Sequence, residues 1–125
     1  KSGINHAVLG AAIEGGPHNI TVNGLRPGVV DTPLTSRPSG IHDASTGQEY
    51  TVAETYGIMA EGGAQPIERI GTPQEIACAA YYFCKIPYMT GQLIAVDGGF
   101  TLNSGFANRD IFLQEGLRKR NKKIN

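Results

Sequence analysis

The residues best suited to chemistry are Pro27-Gly28-Val29-Val30-Asp31-Thr32. They directly follow a short apolar run, so they fall where a strand leaves a sheet, the edge at which doubly wound folds bind ligands. Gly28 has no side chain to hold a flat ring away from the backbone. Thr32 brings a hydroxyl that both donates and accepts. Taken without the rest of the chain, a plain proline turn closing a strand is the better account of them.

Other reactive side chains are scattered. His6 and His18 have no carboxylate or thiol at useful spacing and read as surface or hydrogen-bonded histidines; the role of His42 is open. Cys78 and Cys84, six apart on a helix, point in different directions and complete no metal site, so no metal is expected. They read as small core hydrophobes in a reducing compartment. Tyr50, Tyr56 and Met59 could face a substrate, but apolar helical spacing favours core beneath a long loop.

The elements that must hold these residues follow from periodicity. Ile4, Val8, Ala11 and Ala12 share one helical face and Leu9 and Ile13 form a second stripe, which predicts a helix over 1–14 with both stripes buried, stopped by Gly15-Gly16-Pro17. Ile20, Val22 and Leu25 predict a short buried strand running into Pro27-Gly28. Periodicity then fades from Leu34 to Gln65, apart from a weak helical patch at Val52–Met59; so long an irregular stretch usually has a function. Thr72, Pro73 and Glu75 predict a capped helix with Ile76, Ala77, Ala80, Phe83 and Cys84 on one face, ended by Pro87. Gln92–Val96 predicts a strand buried on both faces, turned by Asp97-Gly98-Gly99.

The 125 residues carry no formal net charge and allow one domain. Neither nucleic acid nor a membrane is called for as a partner: no apolar run approaches the roughly 18 residues a span needs. Five basic residues cluster at Arg118-Lys119-Arg120 and Lys122-Lys123. Without interleaved aromatics, they read as a solvated tail after a short helix at Asp110–Leu117. No signal peptide is visible, but a missing N-terminus would hide one; the cysteine reading favours a cytoplasmic protein.

Four local patterns, in order, resemble the short-chain dehydrogenase/reductase family. Lys1-Ser2-Gly3 before an apolar helix is similar to the end of its Tyr-x-x-x-Lys helix. Asn19-Ile20-Thr21-Val22-Asn23 with Pro27–Thr32 resembles its N-I-x-V-N … P-G-x-V-x-T strand and turn. Arg69–Ala77 resembles R-x-G-x-P-x-E-I-A, and Thr90–Gly99 resembles T-G-x-x-I-x-V-D-G-G. The likeness covers residues 1–103. It implies an α/β fold, the C-terminal part of a Rossmann-type doubly wound parallel sheet, with a substrate lid at 34–66 and a partly disordered extension at 104–125.

The resemblance also implies hydride transfer between NAD or NADP and a small-molecule alcohol or ketone. Lys1 would lower the pKa of a tyrosine four residues upstream and bond the cofactor ribose. Pro27, Gly28, Val29, Val30 and Thr32 would hold the nicotinamide end, the Val30 backbone pairing with its carboxamide and Thr32 bonding the carboxamide or the pyrophosphate. A homodimer or homotetramer is implied. The glycine-rich turn and the tyrosine do not occur in this sequence, so the chain by itself is expected to be inactive. The alternative is a non-catalytic fragment or decayed gene product that at most pairs with an intact relative.

Overall fold

The computed structural model describes residues 2–103 and 108–124. In chain order the elements are α1 (Ser2–Gly15), β1 (Gly24–Pro27), β2 (Pro38–His42), β3 (Glu49–Thr51), α2 (Val52–Met59), α3 (Pro73–Lys85), β4 (Leu93–Val96) and α4 (Arg109–Ile124). They fall into two compact units. One contains α1, β1, α3 and β4; the other contains Gly28–Pro73 and the chain from Asp97 onward.

In the first unit β1 and β4 pair in parallel, Gly24 opposite Leu93 and Pro27 opposite Val96. Upstream of β1 side chains join the backbone in the pairing. Thr90 Oγ1 accepts from the Val22 amide at 3.1 Å, and the Asn23 side chain donates to Met89 O at 2.8 Å and accepts from Gln92 N at 3.0 Å. The strand is shorter than Ile20 and Val22 suggest, starting at Gly24; upstream of it these side-chain bonds alternate with backbone bonds from Gly91 N to Val22 O and from Gly24 N to Gln92 O, both at 2.8 Å. Gly15 does stop α1, and Asn19 takes a left-handed conformation, φ 56°, to turn the chain.

Burial in this unit departs from expectation. On α1 only Ala12 is buried, while Ile4 and Ile13 are 68% and 77% exposed. On α3 Tyr81 and Tyr82 stand out from the surface, and both cysteines are exposed free thiols rather than core residues. In β4, Ile94 and Ala95 are exposed. The periodicity is correct and the coverage is not: a parallel pair has two apolar faces, and this unit supplies too few elements to cover both.

The second unit is more regular than its sequence. Strands β2 and β3 form an antiparallel hairpin, with Ile41 opposite Tyr50 and a bulge between Pro38 and Ile41. Its turn is built on Asp43, whose Oδ1 accepts from Ser45 N, Ser45 Oγ and Thr46 N. β2 alternates in burial and β3 does not; the inward positions include Ser39, Ile41 and Tyr50, so no apolar alternation marks the strands. Thr51 and Glu54 form a reciprocal capping box that starts α2. A π-helical turn, Ala60–Ala64, follows, kinked at Gly63, φ 97°.

The core of this unit is Ile58, Met59, Ala64 and Leu113, flanked by Ile41, Tyr50, Tyr56, Phe112 and Leu117. Met59 and the two tyrosines thus serve as core. Leu113 belongs to α4, which runs to Ile124 where a short helix and a solvated tail were expected. Lys119 and Arg120 are held in ion pairs. Among the described residues no helix is long and apolar enough to cross a membrane.

Candidate cofactor-binding turn

The stretch singled out from sequence, Pro27–Thr32, begins with Pro27 as the last residue of β1. Gly28 meets a second turn: a β-carbon there would lie 2.8 Å from Asp97 Cα and 3.1 Å from Asp97 O. Asp97 in turn organises its own loop, accepting from Gly99 N at 2.9 Å and Thr101 N at 3.1 Å. Burial pushes the Asp97 carboxyl up. Hydrogen bonds from Thr101 and the loop amides outweigh it and hold the group below the usual carboxylate range.

Val29, Val30 and Asp31 run beside Gly71 in a parallel bridge. Gly71 N donates to Val29 O at 2.9 Å, and Asp31 N donates to Gly71 O at 3.0 Å. In that pattern the amide and carbonyl of the central residue face the opposite side. No described residue accepts from the Val30 amide. The Val30 carbonyl lies 3.0 Å from the Thr35 hydroxyl, whose oxygen also accepts from Thr32 N at 2.9 Å and whose hydrogen can turn to Thr32 O at 2.9 Å. Thr35 therefore ties the two halves of the turn together. Nothing in the local pattern of the sequence marks it apart from the other threonines nearby.

The Thr32 hydroxyl is half-buried, 3.4 Å from that of Thr35, which leaves it capacity for a further partner. Lys1 lies outside the described residues. His18 and His42 are exposed, and His6, also exposed, bonds Ser2 O within its own helix. Among the described residues no group of three or more potential ligands could hold a metal ion.

Tyr50 donates to Asp43 Oδ2 at 2.6 Å. That bond raises the Tyr50 pKa, while the Ser45 hydroxyl, followed by Tyr50, holds Asp43 well below the usual carboxylate range. Through this bond Tyr50 anchors the hairpin turn. Gln65, also unmarked in the sequence, is buried and donates to Ile67 O at 2.8 Å and to Arg69 O, closing the loop after the π-helical turn.

A parallel strand pair with helices α1 and α3 is part of a Rossmann-type α/β fold, and solved structures share it. The chain aligns with acetoin dehydrogenase YohF from Salmonella typhimurium at TM-score 0.56 and 27% identity, over 82% of this chain and 34% of that one. It aligns with a 4-hydroxyisoleucine dehydrogenase complexed with NADH and succinate at TM-score 0.59 and 26% identity, over 80% and 35%. A protein-family model described as Enoyl-(Acyl carrier protein) reductase matches residues 1–101. A tropinone reductase homolog from Datura stramonium is 30% identical over 105 residues, which is 82% of this chain and 35% of that protein. The chain belongs to the short-chain dehydrogenase/reductase family. It spans about a third of the length of the curated relatives it matches.

Proposed function

We propose that the whole protein transfers hydride between a nicotinamide dinucleotide, NAD or NADP, and a small alcohol or ketone, and that Pro27–Thr32 holds the nicotinamide end. The observation that carries this reading is the Val30 backbone. Its amide and carbonyl lie on the side away from Gly71, and the amide has no partner among the described residues. A carboxamide needs one donor and one acceptor side by side, and an extended residue offers both. Thr32 would bond the carboxamide or the pyrophosphate. Lys1 would bond the ribose and favour the phenolate of a tyrosine one helical turn upstream. When bound, the reduced nicotinamide supplies the hydride. The residues of this chain bind and orient it.

The 34–66 segment would face the substrate. The exposed apolar faces of α1 and α3, with Ile4, Ile13, Tyr81 and Tyr82, support assembly into a homodimer or homotetramer. The relative crystallised with NADH and succinate supports a nicotinamide cofactor.

The test is a titration of the whole protein with NADH and with NADPH. Binding of at least one is expected, and Thr32→Ala should weaken it by about 0.5–1.5 kcal/mol, the scale of one neutral hydrogen bond. Failure of both dinucleotides to bind would sink the reading.

A further inference from the structure

Two glycines let α4 touch the α2 segment backbone to backbone. A β-carbon on Gly116 would lie 1.8 Å from Ile58 O, and one on Gly62 would lie 1.9 Å from Phe112 O. No side chain fits either place. Leu113 fills the space beside that crossing against Ile58, Met59 and Ala64.

Charge reinforces the crossing. Arg120 makes a two-pronged contact with the Glu61 carboxylate, at 2.8 and 2.9 Å. Lys119 Nζ donates to Glu61 O at 2.5 Å and to Glu68 Oε1 at 2.9 Å. Both cations thus engage the π-helical turn that ends the segment, where backbone carbonyls lack helical partners and favour positive charge. Asn103 adds a bond to Gly63 O at 3.2 Å.

We propose that α4 clasps the 34–66 segment and that Arg120, acting through Glu61, is a positioning residue for the substrate side of the reaction. The inference rests on the reading of 34–66 as the substrate-facing segment. Displacing Val52–Ala64 from its packed position requires α4 to peel away or to move with it, since neither glycine contact leaves slack. The C-terminal helix therefore sets how the segment is held, while the cofactor turn, fixed by Gly71 and Thr35, does not depend on it.

Arg120→Met keeps much of the side-chain stem and removes the fork. The double variant Glu61→Arg/Arg120→Glu reverses the pair and provides the rescue. In the whole protein, hydrogen exchange of 52–64, KM for the best carbonyl substrate and the NADH or NADPH dissociation constant are measured together. Arg120→Met should speed exchange at 52–64 and raise KM, each by about five-fold, the upper end for an ion pair at this exposure. Dinucleotide affinity should stay within about two-fold, and the double variant should recover most of both losses. Faster exchange with unchanged KM would overturn the proposal, as would equal losses in substrate and dinucleotide binding. If the unsubstituted protein binds neither dinucleotide, the functional reading falls and the proposal with it. That result is distinguishable because it precedes any substitution.

Discussion

Gly28 and Asp97 are in backbone contact: a β-carbon added to Gly28 would sit 2.8 Å from Asp97 Cα. The glycine that sequence reasoning assigns to the approach of a flat ring is thus required first by a neighbouring turn of the protein itself. The two family-like turns, Pro27–Thr32 and Asp97-Gly98-Gly99, brace one another.

Gly28→Ala should therefore destabilise the protein even without cofactor. Overpacking against backbone costs about 1–3 kcal/mol. Urea unfolding of the cofactor-free protein checks this. An unchanged midpoint would show that the glycine matters only to a ligand.

Thr35→Val should loosen the Pro27–Thr32 turn. It removes the acceptor for Thr32 N and the hydroxyl beside Val30 O while nearly conserving shape. Leaving a partly buried amide without its partner costs about 1–3 kcal/mol. Thr35→Ser keeps the hydroxyl and should retain most of the stability. Equal melting of the two variants would count against a hydrogen-bonding role.

Gly57 and Gly116 should respond oppositely to alanine. At Gly57, inside α2, a β-carbon meets only the Arg120 guanidinium at 3.8 Å, so Gly57→Ala should stabilise by about 0.4–1 kcal/mol. Gly116→Ala drives a methyl into Ile58 O and should destabilise by about 3 kcal/mol, the top of the overpacking range. Thermal melts of both variants decide it. Matching shifts would mean that α4 does not contact α2 through its backbone.

The clasp should also respond to pH. The Arg120 hydrogen bonds hold the Glu61 carboxyl below its ordinary value of 4.5. The folded pKa is depressed, so the stabilisation is present above about pH 4.5 and fades as pH falls through the lower folded value. With Glu61 and Arg120 side chains 28% and 38% exposed, the effect is at most about 1 kcal/mol and shrinks with salt. Urea midpoints from pH 7 to pH 3 should fall further for the unsubstituted protein than for Arg120→Met. Parallel profiles would remove the ion pair from the account.

Local chemistry made much of the first unit legible. Gly15-Gly16-Pro17 stops α1, Pro73 opens α3, and Leu93–Val96 forms the second parallel strand. Each signal acts within a few residues, through a breaker or through apolar spacing. The Pro27–Thr32 turn was legible for the same reason, as a fixed order of residue types along one stretch.

The helical patch at Val52–Met59 and the start of α4 were legible; the hairpin and the rest of α4 were hidden because their order comes from contacts distant in sequence. Ser39, Gly40 and Thr55 carry no strand or helix pattern; the hairpin exists because Asp43 nucleates its turn and Ile41 and Tyr50 reach a shared core. Gly116 reads as a weak point in a helix until Ile58 O is seen beneath it. Lys119 and Arg120 read as solvated charge until Glu68 and Glu61 meet them.

By itself the sequence determined the family, the position of the Pro27–Thr32 turn and the helices and strands that local residue chemistry can start and stop. The tertiary structure alone decided that α4 is part of a core and that Thr35 and Gly71 fix the Val30 backbone. The physical reason is range. Capping, chain breaking and periodicity act over one or two turns, whereas close glycine packing and ion pairs 51 or 59 residues apart form only when the whole chain is in place.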